Sequence, residues 1–266
     1  MGLKRISDVF KKKSDQKIMS LFITAGYPDL DSTPELIHEL ERSGADIIEL
    51  GMPFSDPLAD GSTIQRSSEV SIANGTTLDL IFDMVKEVRK SSEISIILMG
   101  YINPILHYGL DDFFEKSAAA GVDGFILPDV PVEEADLIKG RCKDHDLALI
   151  YLVAPNTTNE RMKLIDGESS GFVYCVSVTG VTGARDGGQI AASVSGFIDR
   201  VNANVTKNPV LVGFGIKSHT DARLISQKTD GFVVGSALIN HIDANYPNSE
   251  WIREAGLFVH EIKFGL

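Results

Sequence analysis

The chain has 266 residues, 43% of them hydrophobic, and a formal net charge of -12. That length and apolar content suffice to bury a full core, while the acidic field repels nucleic acid and anionic lipid, so neither is an expected partner and an anionic ligand would need a local site. No run of about 18 apolar residues occurs, which excludes an ordinary membrane-spanning helix and predicts a soluble protein.

The N-terminal stretch MGLKRISDVFKKK places Leu3, Ile6, Val9 and Phe10 on roughly one helical face. It lacks the long apolar core of a signal peptide, and Ile6 stands where a myristoylation motif needs Ser or Thr, so it reads as a short amphipathic helix packing on the protein's own body. Eight short apolar runs follow: IMSLFITA, DIIELG, ISIILMG, GFILPD, ALIYLVA, GFVYCVSV, PVLVGFG and GFVVGS. They are rich in Ile, Val, Leu and Phe without clean alternation, as parallel strands buried on both faces should be. Between them lie segments with helical periodicity, among them PELIHELERSG, LDLIFDMVKEVRK, LDDFFEKSAAAG, EEADLIKGRCKDH and HTDARLISQKT. Asp111 and Asp112 suit a helix start. Strand and helix alternate throughout, and eight such units favour a closed (β/α)8 barrel with an extra N-terminal helix, in one domain over residues 1–266, above an open doubly wound sheet. Periodicity alone leaves closure open.

In a barrel of this kind the active site lies at the carboxyl ends of the strands. Glu49 interrupts the second apolar run, where a carboxylate loses hydration, its pKa should rise, and it can serve as acid in one step and base in another. A buried ion pair is the alternative. The loop that follows, Gly51 to Gly61, carries Pro53, Asp56, Pro57 and Asp60. Asp60 is the better catalytic candidate there, its bland alternative being part of the helix cap before Ser62. Asp56, directly before a proline, suits turn chemistry or a partner contact. Gly213-Phe214-Gly215 after the seventh run, and Gly235-Ser236 after the eighth, match a recurrent phosphate-binding arrangement in which backbone N–H groups at a helix start receive the anion. Ordinary tight turns would have the same composition. The Gly- and Thr-rich stretch Ser177 to Gly188 suits a lid or a plain loop. No run core holds a lysine for Schiff-base chemistry, and the six histidines lack paired ligand spacing, so neither a Schiff-base nor a metal aldolase is expected. His107 is read as lying in a loop after a strand. Cys142 and Cys175 stand singly, in an apparent helix and an apolar strand, which fits a reducing cytoplasm.

The long pattern Ile48-Glu49-Leu50-Gly51-Met52-Pro53-Phe54-Ser55-Asp56-Pro57-Leu58-Ala59-Asp60-Gly61 resembles the signature of the tryptophan synthase alpha family. So do the stretches Phe22 to Pro28, Leu98 to Pro104, Pro128 to Pro131 and Thr179 to Gly183, all in order along nearly the whole chain. Ser62 and Asn156 depart from the family pattern, where proline and threonine are usual. The resemblance implies a lyase that cleaves indole-3-glycerol phosphate into indole and glyceraldehyde 3-phosphate in tryptophan biosynthesis. Carried over by position, Glu49 would be the principal acid-base group, Asp60 would act on the indole nitrogen, and Tyr174 would position Glu49 and substrate. Thr182 would hydrogen-bond Asp60, Gly183, Gly215, Gly235 and Ser236 would hold phosphate, and Phe22, Ile126 and Phe214 would wall the indole. The last three could equally be plain core. The resemblance further implies no metal and no cofactor in this chain, and a beta subunit carrying pyridoxal phosphate in an alpha2-beta2 complex, met through Pro53, Asp56 and Pro131. A stand-alone lyase releasing free indole, and a catalytically silent regulatory subunit, remain as alternative readings.

Overall fold

The computed structural model describes residues 2–12, 16–176, 187–213 and 215–266, without the side chains of 187–194. Its elements run α1 (Gly2–Lys12), β1 (Ile18–Thr24), α2 (Thr33–Arg42), β2 (Ile47–Gly51), α3 (Ser62–Ala73), α4 (Leu78–Arg89) and β3 (Ser95–Met99). Next come α5 (Ile102–Tyr108), α6 (Leu110–Ala120), β4 (Gly124–Ile126), α7 (Asp136–Asp144), β5 (Ala148–Ile150) and β6 (Leu152–Val153). The remainder is α8 (Asn159–Glu168), β7 (Val173–Val176), α9 (Gly187–Asn204), β8 (Val210–Gly213), α10 (His219–Ser226), β9 (Gly231–Val234), α11 (Ser236–Asn245) and α12 (Trp251–Phe264). The five helical segments read from periodicity fall on α2, α4, α6, α7 and α10.

All strand pairs are parallel, in the order β5-β4-β3-β2-β1-β9-β8-β7-β6. The two ends of that order, β5 and β6, are one strand broken at Tyr151, whose carbonyl still accepts from the Tyr174 N–H at 3.0 Å while Leu149 accepts from Ser170 at 3.0 Å. The sheet therefore meets itself through the fifth apolar run, and the eight runs become the staves of a (β/α)8 barrel.

Closure sorts each strand's side chains into two separate cores. Ile47, Ile97, Ile126, Ile150, Leu211 and Val233 pack on one another inside the barrel. Their chain neighbours, such as Ile48, Leu98, Phe125, Leu149, Val212 and Val234, pack against the surrounding helices. Both sets are apolar, which is why the runs lack alternation: each strand is buried on both faces. Helix α1 closes the amino end. Its Ile6 is fully buried in the interior core, and Leu3, Val9 and Phe10 pack against it, as the amphipathic face predicted.

Helix α1 is also tied down by charge. Arg5 of α1 and Arg89 of α4 donate to opposite oxygens of Asp123, at 2.9 and 2.8 Å, and the Ile96 N–H donates to the second oxygen at 2.8 Å. Asp123 is fully buried, so removing it leaves two guanidinium groups facing a low-dielectric pocket. Asp123→Ala is expected to cost about 3–5 kcal/mol of unfolding free energy. Urea unfolding measures this, and a loss below about 1 kcal/mol would show that solvent reaches both arginines.

One expectation needs correction. His107 lies in helix α5, not in a loop. Seven residues are too few to declare helical periodicity, and Pro104 disguises the segment. A proline is nevertheless tolerated in a first helical turn, where its missing N–H has no intrahelical partner. The start of α5 is supported from outside by Asp129, whose carboxylate accepts the Ile102 N–H at 3.0 Å.

Candidate active site

The interior positions of β1 are Ile18, Ser20, Phe22 and Thr24, and those of β2 are Ile47, Glu49 and Gly51, with Ser20 beside Ile47 and Phe22 beside Glu49 in the register. Glu49 is fully buried. Its Oε1 accepts the Ser20 hydroxyl at 2.7 Å, and its Oε2 has no hydrogen-bond partner among the described residues. Ser20 lies one interior position nearer the amino end, so the carboxyl group is turned down into the barrel. Phe22 covers it from the mouth: a Cβ at Gly51 would stand 2.6 Å from the Phe22 Cζ, which places the ring across that glycine. Burial among apolar side chains pushes the Glu49 carboxyl up to about 7, against a smaller downward pull from the Ser20 hydroxyl. The alternative of a buried ion pair does not hold among the described residues, since no cation contributes to its environment.

Asp60 sits on the loop between β2 and α3 and is held by its surroundings rather than by a helix cap. Helix α3 has Gly61 at its N-cap and no side-chain cap bond. Instead the Tyr101 hydroxyl donates to Asp60 Oδ2 at 3.0 Å and accepts the Ala59 N–H at 2.9 Å. Gln65 donates to the Asp60 carbonyl at 2.9 Å. The Tyr101 ring is itself braced by Phe54, with centroids 5.3 Å apart. Partial burial raises the Asp60 carboxyl, and the Tyr101 bond opposes that rise. Helix α3 reaches β1 through small polar side chains: Ser67 bonds Thr24 at 2.7 Å, and Ser71 donates to the Ala25 carbonyl at 2.5 Å. These fix the far end of the Asp60 loop against the mouth of β1.

Tyr174 projects from β7 into the same interior and is nearly fully buried. Desolvation, followed by the charges of Glu49 and then Asp60, raises its hydroxyl well above the ordinary phenol range, so it remains a neutral donor. No hydrogen bond joins it to Glu49 among the described residues, where the Glu49 carboxyl has Ser20 as its partner. Its hydroxyl lies against Gly213, where a Cβ would stand 2.6 Å away. Ile126 is fully buried in the interior core. A narrow cavity of about 10 Å³ at the mouth is lined by Phe22, Met52, Phe54, Asp60, Tyr101 and Pro128, among others.

The glycine-rich turns also converge there. Gly215 has φ +65°, a left-handed conformation open to glycine, and Gly235 is the N-cap of α11, which begins at Ser236 beside the carboxyl end of β9. The N–H groups of Ser236 and Ala237 precede the first bond of that helix, from the Leu238 N–H to the Gly235 carbonyl at 2.9 Å, an arrangement that can receive an anion. Thr182, Gly183, Phe214 and most of the Ser177 to Gly188 stretch lie outside the described residues. Pro53 and Pro131 are half-buried and Asp56 is exposed, all on loops at the carboxyl ends of the strands. Cys142 and Cys175 are buried and free. No cluster of three or more potential metal ligands occurs among the described residues.

Ser20 and Tyr101 were not singled out from sequence. A serine at an interior position of an apolar strand, two residues before Phe22, was the available signal for the first. The second stood within the quoted Leu98 to Pro104 stretch but had no spacing that tied it to Asp60.

Residues 9–263 match the family model described as tryptophan synthase alpha chain. Curated relatives of that name include one from Geotalea daltonii, 46% identical over 98% of both chains, and one from Christiangramia forsetii, 42% identical over 95% of this chain and 96% of the relative. Among solved structures, tryptophan synthase subunit alpha from Legionella pneumophila superimposes with a TM-score of 0.87 at 38% identity, covering 97% of each chain.

Proposed function

The chain belongs to the tryptophan synthase alpha chain family, and from that premise we propose that Glu49 and Asp60 carry its chemistry. The family's reaction is a carbon–carbon lyase step, cleavage of indole-3-glycerol phosphate to indole and glyceraldehyde 3-phosphate in tryptophan biosynthesis, and this chain is such a lyase. The observation that carries the residue assignment is a fully buried carboxyl group, poised near neutrality, at the second strand of a barrel whose mouth holds a second raised carboxylate.

Cleaving the bond between indole C3 and the glycerol chain requires a proton at C3, so that the ring can leave with the bonding electrons. Glu49 supplies it in its neutral form. Positive charge then develops at the ring nitrogen, where Asp60, oriented by Tyr101, stabilises it. The ionised Glu49 next takes the proton from the hydroxyl on the adjacent carbon as the aldehyde forms, which restores the neutral acid. Tyr174 supports substrate and Glu49 from β7, Phe22, Ile126 and Phe214 wall the indole, and Thr182 bonds Asp60. Gly183, Gly215, Gly235 and Ser236 hold the phosphate through backbone donors.

Pyridoxal phosphate belongs to a beta subunit, which meets this chain through Pro53, Asp56 and Pro131 in an alpha2-beta2 complex. Two surface features favour that face: Leu58 is 94% exposed in the same loop, and a groove of about 300 Å³ runs beside Pro53, Pro104 and His107. The chain is one catalytic domain that works in the cytoplasm. Among the described residues no helix is long and apolar enough to cross a membrane.

The direct test is indole release from indole-3-glycerol phosphate with and without a beta subunit. Turnover strengthened by the beta subunit supports the assignment. Fast unaided turnover points to a stand-alone lyase, and no indole under either condition leaves a regulatory subunit. Gly213 offers a further check, because a methyl group there would collide with Tyr174. Gly213→Ala is expected to lower kcat about 10- to 100-fold through displacement of that side chain. If so, Gly213→Ala combined with Tyr174→Phe should lose less than the product of the two single effects, whereas independent effects would multiply.

A further inference from the structure

Glu49 has one described partner, and that partner has no assigned role in catalysis. We propose that Ser20 is a positioning residue for the proton transfers of Glu49: by donating to Oε1 it anchors one carboxyl oxygen and leaves Oε2 as the oxygen that gives up and regains the proton. The inference rests on the acid-base role assigned to Glu49 above.

The geometry assigns the two oxygens different work. Ser20 and Glu49 are both fully buried, so water does not compete for the 2.7 Å bond. A neutral carboxyl group that accepts at Oε1 carries its proton on Oε2, the oxygen without a described partner. When the Oε2–H bond breaks and the proton passes to indole C3, negative charge spreads over both oxygens and the Ser20 bond strengthens, because a hydrogen bond to an ionised acceptor is roughly twice as strong as one to a neutral acceptor. Ser20 thus makes Glu49 a stronger acid than burial alone would leave it, and it does so without a fixed charge. Its opposing effect on the carboxyl group has that sign.

The other groups facing this carboxyl do not replace Ser20. Phe22 of β1 and Ile97 of β3, its neighbours in the register, are apolar. Tyr174 of β7 stays neutral, and Asp60 on the following loop is bonded to Tyr101. Ser20 stands between Ile47 and Val233 in the register, and its one described side-chain hydrogen bond goes to Glu49.

The experiment compares wild type, Ser20→Ala and Ser20→Thr in the full chain, with two readouts. The first follows the Glu49 carboxyl by carbon-13 NMR across pH, assigned by loss of the signal in Glu49→Gln. The second is the pH profile of kcat/KM for indole release with the beta subunit present. Ser20→Ala is expected to move the Glu49 titration, and with it the alkaline limb of the profile, upward by about one pH unit. Ser20→Thr, which keeps the hydroxyl, is expected to return both to wild-type values. An unmoved titration in Ser20→Ala overturns the proposal, as does a shift that Ser20→Thr fails to reverse. Absence of indole release from wild type would sink the lyase assignment instead, while the NMR titration would still decide whether Ser20 holds Glu49.

Discussion

Glu49→Gln is expected to lower kcat for indole release by about 10³-fold or more, within the range of about 10²- to 10⁴-fold that general acid-base groups contribute, with proton delivery and removal both lost. Glutamine preserves the volume and can still accept from Ser20, so the barrel interior should stay packed and KM should change little. In wild type, activity requires the neutral acid at the start of turnover, so kcat/KM should decline on the alkaline side with a midpoint near 7, where burial has moved the Glu49 carboxyl. Residual kcat within about tenfold of wild type would reassign the proton transfers to another group.

The same variant should behave oppositely in stability. The Glu49 carboxyl is raised from 4.5 to about 7 in the folded chain, so the folded state holds its proton more tightly than the unfolded state does. Its favourable contribution is complete below pH 4.5 and is lost as pH rises through 7. Above that, wild type carries a buried charge costing roughly 3 kcal/mol, which the neutral glutamine avoids. Urea unfolding at pH 8 should therefore find Glu49→Gln more stable than wild type, with the difference shrinking toward pH 5. A constant difference across that range would mean that Glu49 is not titrating.

Asp60→Asn is the second large effect, expected to lower kcat by about 10²- to 10³-fold, the usual loss when a group facing developing charge is removed. Asparagine is nearly isosteric and can accept the Tyr101 hydroxyl through its amide oxygen, so the loop should keep its path and the loss should fall on kcat rather than KM. The negative charge needed opposite the ring nitrogen is what disappears. A rise in KM at unchanged kcat would instead make Asp60 a binding residue.

The two carboxylates differ in how they became visible. Glu49 was legible because an acidic residue inside an apolar strand has few structural uses, and in the fold it lies where the strand pattern pointed: inside the barrel, dehydrated and without a described cation. Asp60 could be separated from a helix cap only by the family pattern until the Tyr101 bond was seen, since an aspartate before Gly-Ser looks the same in either use. The glycines proposed to hold phosphate follow the same logic, for a glycine after a strand is compatible with an ordinary turn until a helix start is found beside it. His107 was misplaced because a seven-residue helix with an internal proline carries too little periodicity to read.

Strand spacing, the unalternating apolar runs, the amphipathic first helix and the acidic interruption at Glu49 were determined by the sequence alone, because burial on two faces and helical periodicity are local properties of residue order. The tertiary structure alone decided closure through the broken strand at Tyr151, the sorting of each strand into two cores, the partnership of Ser20 with Glu49 and the hold of Tyr101 on Asp60. Those contacts join residues 29 and 41 positions apart in the chain. Their pairing is set by strand register and barrel curvature, which no local window of residues encodes.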